Sequence, residues 1–309
     1  MAIELIEGTL DTPSVSRIVS EVLRWIKFDP DVIEHMRATT PTWRDWIGLL
    51  DGEPVGAGGC GVGAGMEESS AVFASLCVLP AARHRGVGGR LYRRVSEHAR
   101  ELGREELELF SFSDDPDCDG FAARHGFTVV MRARGLRLEL EDCPRPDVTP
   151  PAGVTITTLA ERPDLGHGVW ETAGESLPDI PYDSDVPPQP GTYEQFAARQ
   201  LAGPQYIPQA TFVALAGEQV VGYGKLGWID RSAGIADHDM LAVRRAWRGR
   251  GIARALKAAQ IAWALDNRLS ELRTGNEERN TAARAVNAHF PYTPMPDGLA
   301  FRGPCAPVE

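Results

Sequence analysis

Two short runs in this 309-residue chain set an arginine among spaced small residues: Arg83-x-x-Gly86-x-Gly88 and Arg248-x-x-Gly251-x-Ala253. Each follows an apolar run, ending at Val78 and Val243, and each opens a segment of helical periodicity. The start of a helix exposes backbone N–H groups that lack intrahelical partners, at the positive end of the helix dipole, so it attracts anions. Residues without bulky side chains let a phosphate approach that backbone closely. Arg85, Arg90, Arg93 and Arg94 beside the first run, and Arg245, Arg250 and Arg254 beside the second, can meet further phosphate charge. Other phosphate-binding patterns do not fit. There is no GxxxxGK[ST], and Leu91 stands where a dinucleotide-binding GxGxxG needs its last glycine.

The elements that must position these loops are duplicated. Val78 to Gly88 aligns with Val243 to Ala253 at an offset of 165 residues, and the same offset matches Leu91 with Leu256, Glu106-Leu107 with Glu271-Leu272 and Phe127 with Tyr292. Each half reads as an opening strand, helical segments, a hairpin around Gly52–Gly56 or Gly217–Gly222, and a strand running into the loop. The helix after the loop follows, with apolar positions Val87, Leu91, Val95, Ala99 and Leu102 in the first copy and Ile252, Leu256, Ala259 and Trp263 in the second. A further strand and helix complete each copy. Residues 141–152 hold four prolines and read as a linker. The expectation is a mixed α/β fold in two tandem domains, 1–140 and 153–309, each a central mixed sheet flanked by helices. The glycine-rich run Gly56–Gly65 reads as a distorted strand and turn.

Composition narrows the partners. A net charge of −11, divided as −8 over residues 1–150 and −3 over the rest, argues against nucleic acid as a ligand. The five scattered cysteines form neither a disulfide framework nor a metal site. Lysines are rare: Lys27, Lys225 and Lys257 are the whole set. With no secretory leader pattern and no apolar stretch of membrane-spanning length, a cytoplasmic protein without membrane contact is expected.

The two loops, with their strand–loop–helix flanks, resemble the [QR]xxGx[GA] signature of the GNAT superfamily of acetyltransferases, in its two-domain, mycothiol-synthase-like form. The resemblance implies acetyl-CoA as cofactor. In the second half it would lie along Leu241, Ala242, Val243, Arg248, Gly249, Arg250, Gly251, Ile252 and Ala253. In the first half the matching positions are Val78, Arg83, Arg85, Gly86, Val87 and Gly88. It also implies a carboxylate base on the strand before the loop, six residues ahead of the valine. That position is Asp237 in the second half and Val72 in the first, with His238 and Asp239 as adjacent alternatives, although alternation turns His238 to the other face. The segment with Asn276, Asn280 and Asn287 resembles an asparagine-rich signature of tandem members, which implies that Asn280, beside Asn276, meets the cofactor. The first copy has Ser111 and Asp115 there.

Two departures stand out. The superfamily's usual thiolate-protonating tyrosine is replaced by Ala122 and Asn287, and the terminal Gly-Phe of the second copy is Pro291-Tyr292, which places Tyr292 in a packing slot. The long segment Glu175–Ala210 supplies Tyr182, Asp183 and Asp185 and is expected to form a wall that attracts a cationic acceptor. The expected activity is acetyl transfer to an amine of a small molecule by the C-terminal half, in a monomer (a pseudo-dimer by duplication) or weak homodimer. The alternative is an acyl-CoA sensor without turnover.

Overall fold

The computed structural model describes residues 2–63, 65–183 and 185–308. The chain forms two compact units. In the first, β1 (Ile3–Glu7) leads to α1 (Thr12–Val22) and α2 (Pro30–Thr39), then β2 (Arg44–Leu50), β3 (Glu53–Gly61) and β4 (Ala71–Val78). There follow α3 (Val87–Glu101), β5 (Glu106–Phe112) and α4 (Pro116–His125), and then β6 (Thr128–Glu139), most of which lies in the second unit. The second unit repeats the order with β7 (Thr155–Thr158), α5 (Gly166–Ser176), α6 (Tyr193–Gln200), β8 (Tyr206–Ala216), β9 (Gln219–Asp230) and β10 (Ile235–Val243). It continues with α7 (Ile252–Asp266), β11 (Glu271–Glu277), α8 (Thr281–Asn287) and β12 (Thr293–Pro294), and the chain ends on β13 (Gly298–Pro304). No helix among the described residues is long and apolar enough to cross a membrane.

Local signals set the boundaries. Asp11 accepts the Ser14 N–H and caps α1, while Thr192 and Gln195 form a capping box on α6. Asp51 and Gly52, both at positive φ, close the β2–β3 hairpin. The α3 residues expected to face the sheet do so: Val87, Leu91, Val95 and Ala99 are buried in one core with Trp46 and Leu107. The glycine run has a steric reason. A Cβ at Gly56 would lie 2.9 Å from both Leu91 and Val87, so the bare β3 backbone is what lets α3 sit against the sheet.

The unit boundaries do not follow the linker at 141–152. Residues 133–140 of the first half belong to the second unit, where β6 pairs antiparallel with β11 from Ala133↔Glu277 to Glu139↔Glu271. Residues 298–309 belong to the first unit, where β13 pairs antiparallel with β5 from Gly298↔Phe112 to Pro304↔Glu106. A Cβ at Gly303 would fall 2.4 Å from a Phe127 ring carbon, so the returning strand fits beneath that ring only as glycine. Duplication alone therefore does not give two self-contained units, because each unit takes a strand from the other half of the sequence.

Candidate active site

Both arginine–glycine loops have the same backbone. After β4 and β10 comes one 3-10 turn (Pro80–Ala82; Arg245–Trp247), an extended arginine, and a left-handed glycine just before the helix: Gly86 at φ 89° and Gly251 at φ 86°. That conformation suits glycine alone. The signature arginine ties loop to strand, as Arg83 Nε donates to the Val78 carbonyl at 3.1 Å and Arg248 Nε to the Val243 carbonyl at 2.9 Å. Neither helix has a side-chain cap, and the first bonded amides are Arg90 to Gly86 and Ala255 to Gly251. The N–H groups of Val87, Gly88 and Gly89, and of Ile252, Ala253 and Arg254, are thus left for an anion or solvent. Gly249 and Arg250 are exposed beside the second loop, and Arg85 beside the first.

The loops differ in the charge around them. In the first unit the Arg83 guanidinium meets Asp115 at 2.8 and 2.9 Å and Asp117 at 2.7 Å, which leaves it only 16% exposed. A cleft of about 260 Å³ beside it is lined by Glu21, Arg24, Asp114, Asp115 and Asp117. More carboxylates than arginines line it, so a pyrophosphate would be opposed there. In the second unit Asp179 binds Arg245 at 2.8 and 2.9 Å and Arg248 at 2.7 Å, and the two guanidinium groups hold its carboxyl down to about 2. Arg244 pairs with Glu171 at 2.7 Å.

The strands beyond the loops part. β10 runs parallel to β11 only for Ile235↔Glu271, Ala236↔Leu272 and Asp237↔Arg273. The β9–β10 register shifts between Asp237 and Met240, as a β-bulge does. Asp239 and Met240 therefore share the α5–α6 face. Asp239 pairs with Lys225 at 2.6 Å and Met240 packs on the core that holds Val169 and Phe196, while Leu241 packs beneath α7 with Ile252. Lys225 also donates to the Gln200 carbonyl at 2.9 Å and its Oε1 at 2.8 Å.

Asp237 is only partly exposed, and no other side chain among the described residues is seen to donate to it. Burial, then the Asp239 carboxylate, push its carboxyl well above the usual carboxylate range against the pull of Lys225. Gly227 stands opposite, and a Cβ there would lie 3.2 Å from Asp237 Oδ1. A carboxyl with raised proton affinity beside parted strands can accept a proton near neutral pH.

His238 faces α7, as strand alternation requires. Its Nδ1 lies 2.9 Å from Gln260 Oε1 and its Nε2 2.6 Å from the Tyr292 hydroxyl. Burial first, then Lys257, keep the imidazole neutral, so Nδ1–H donates to Gln260 and Tyr292 O–H donates to Nε2. Tyr292 packs in the core slot its position suggests and in addition completes this buried polar chain. The chain of groups was not read from the sequence. The signal for it was the clustering of Lys257, one of three lysines, with Gln260 on the mostly apolar middle of α7.

Other expected site residues have structural partners. Asp185 accepts from Ser69 Oγ at 3.0 Å, the Ser70 N–H at 2.6 Å and Arg302 at 3.0 Å, all within the first unit. It is a clamp for that unit and has no charge left for an acceptor, and Tyr182 and Asp183 are engaged as well. Asn280 Oδ1 caps α8 through the Ala283 N–H, leaving only its amide for a ligand, and Asn276 accepts from the buried Asn287 amide. At the position equivalent to Asn280 in the first unit, Asp115 caps α4 by accepting the Asp117 N–H.

The sequence matches the Acetyltransferase (GNAT) family over residues 15–127 and again over 175–289, and the chain belongs to that family of acetyltransferases. It is 27% identical over 225 residues to a mycothiol acetyltransferase of Catenulispora acidiphila, across 71% of this chain and 68% of that one. It is 31% identical over 198 residues to the mycothiol acetyltransferase of Kineococcus radiotolerans, across 63% of this chain and 60% of that one. A tandem GNAT protein from the clavulanic acid biosynthesis pathway superposes with a TM-score of 0.74 over the full length of both chains at 19% identity. A GCN5-related N-acetyltransferase from Sphaerobacter thermophilus does so at 0.67 and 18% identity, over 99% of this chain and 97% of that one.

Proposed function

We propose that the chain transfers the acetyl group of acetyl-CoA to an amine of a small molecule, and that the second unit does the work. One observation carries the assignment. At positions 165 apart, the first unit holds Val72, Phe73, Tyr92, Val95 and Phe127 where the second holds Asp237, His238, Lys257, Gln260 and Tyr292. The same packing positions carry no catalytic acid–base pair in one copy and five polar or titratable groups in the other. The second loop, with its free amides and Arg245, Arg248 and Arg250, suits the pyrophosphate of the donor. Acetyl-CoA supplies an activated thioester when bound.

On this reading Asp237 takes the proton from the attacking amine, since an ammonium has no lone pair. Burial, and then the Asp239 carboxylate two residues on, raises the proton affinity of Asp237 against the pull of Lys225. The relatives named for mycothiol make amines of that chemical kind, on sugar or thiol-bearing scaffolds, the first acceptors to try. The test is release of free thiol from acetyl-CoA with a panel of such amines. Amine-dependent release supports the reading. Tight acetyl-CoA binding with no release in any mixture favours a sensor instead, a reading that Asn287 in place of the usual tyrosine keeps in play.

A further inference from the structure

Lys257 is only 2% exposed and no hydrogen-bond acceptor among the described residues meets its Nζ, which lies over the Tyr292 ring, 5.1 Å from the centroid. One turn on, the fully buried Gln260 leaves its Nε2 without a partner. Gln260 Nε2 is therefore a buried donor with no acceptor, which is costly unless a ligand supplies one, and among the described residues the Lys257 ammonium beside it has no carboxylate to neutralise it. The copy shows what the fold alone asks of this position. Tyr92 occupies it in the first unit, packed against Phe127 with its hydroxyl on the Pro304 carbonyl, and Val95 stands in place of Gln260.

The position along α7 is informative. The helix runs back beneath β10: Ile252 and Leu256 pack with Val243 and Leu241, and Gln260 reaches His238. Lys257 therefore sits about 8 Å inside the helix from the anion loop. It lies at the level where β10 and β11 have just parted after Asp237↔Arg273. His238 from β10, Tyr292 from beyond α8 and the more distant Cys143 thiol are the other titratable groups near it. None of them is an anion in this setting: the imidazole is neutral, and burial pushes the phenol and the thiol upward.

We propose that Lys257, backed by the Gln260 amide, receives the sulfur end of acyl-CoA and supplies the proton taken up by the departing thiolate. The inference rests on the acyl-CoA reading of the second unit. As the acceptor nitrogen bonds to the acyl carbon, the carbon–sulfur bond breaks and its electron pair goes to sulfur. The Lys257 ammonium proton passes to that sulfur, and the surplus proton of the acceptor nitrogen passes to Asp237. One proton returned through solvent from Asp237 to Lys257 resets both, so amine and thioester become amide and thiol with no net proton change. Burial lowers the ammonium to about 7, which suits a proton donor to a thiolate. The arrangement stands in for the hydroxyl missing at Asn287.

The test uses binding alone. Calorimetric titration of the full chain with CoA and with desulfo-CoA at neutral pH should show CoA the tighter by about tenfold, as a charge-assisted contact to sulfur requires. In Lys257→Met, of similar length and without charge, the ratio should collapse toward one while desulfo-CoA affinity stays unchanged. In the unmodified protein the thiol of bound CoA, followed by thiolate ultraviolet absorbance, should ionise at least about one pH unit lower than in free CoA. Equal affinities and an unshifted thiol would overturn this inference and leave the acyl-CoA reading standing. Failure of both ligands to bind would overturn both.

Discussion

The Asp237→Asn substitution removes one negative charge from a face where Asp237 and Asp239 stand two residues apart and Lys225 is paired with the second. A carboxyl raised from 3.8 to about 8 keeps its proton in the folded chain over a range where the unfolded chain has released it. Between those values the native state binds more protons, so stability falls as pH rises through the window. Below 3.8 both states are protonated and there is no penalty, and above about 8 both are ionised and the penalty is constant. At about 1.4 kcal/mol per pH unit the window sets a ceiling of roughly 6 kcal/mol. Residual solvent access cuts that to about 2 kcal/mol. Urea unfolding on either side of the window should show the wild type losing stability toward alkaline pH and the Asp237→Asn variant losing little. The variant should be the more stable protein above the window while its turnover falls by about 10²–10⁴-fold, the usual loss on removing a general base. An unchanged pH dependence in the variant, or retained turnover, would contradict a raised proton affinity at Asp237 that serves the transfer.

Three further outcomes follow from the ion pairs. Asp185→Asn should destabilise the first unit by about 1 kcal/mol at neutral pH, a figure discounted for a partly exposed pair; because its partners hold Asp185 ionised, the difference should close as pH falls below 3.8, and urea midpoints that never converge would contradict this. Calorimetry should find one CoA per chain, and the double substitution Asp115→Asn with Asp117→Asn, which frees Arg83, should be needed before a second is seen; two sites in the unmodified chain would show that the first loop is open. Asp179→Asn should tighten CoA by several-fold, up to about tenfold, because it removes an internal competitor for Arg245 and Arg248; weaker binding would mean that Asp179 positions those arginines for the ligand instead.

The duplicated loops, their strands and their helices were legible because each depends on local chemistry: glycine at positive φ, a helix start and apolar spacing. The face of His238 was legible from alternation along one strand, and counting along the same strand put Asp237 on β10. The exchange of β6 and β13 between the units was not legible, because these strands carry no mark of which partner they join; that is decided by long-range fit such as Gly303 beneath Phe127. Asp185 looked like a free loop carboxylate because its partners, Ser69, Ser70 and Arg302, lie more than a hundred residues away in sequence. Lys257 and Gln260 were hidden by a helix apolar enough to read as pure core. Only the fold brings them to His238 and Tyr292, and only comparison with Tyr92 and Val95 shows that packing did not require them.

The central claim is that the second unit carries the transfer, and the most direct test is a paired block of the two loops. Ala253→Glu and Gly88→Glu place the same bulk and negative charge at the first turn of α7 and α3, where a pyrophosphate would sit. Gly88 has room for the change, its nearest neighbour to a Cβ being Val78 at 3.6 Å. With both variants shown folded by circular dichroism, amine-dependent thiol release from acetyl-CoA is then measured. Ala253→Glu should abolish release and Gly88→Glu should leave it near the wild-type rate. Loss of release in Gly88→Glu with retention in Ala253→Glu would contradict that claim.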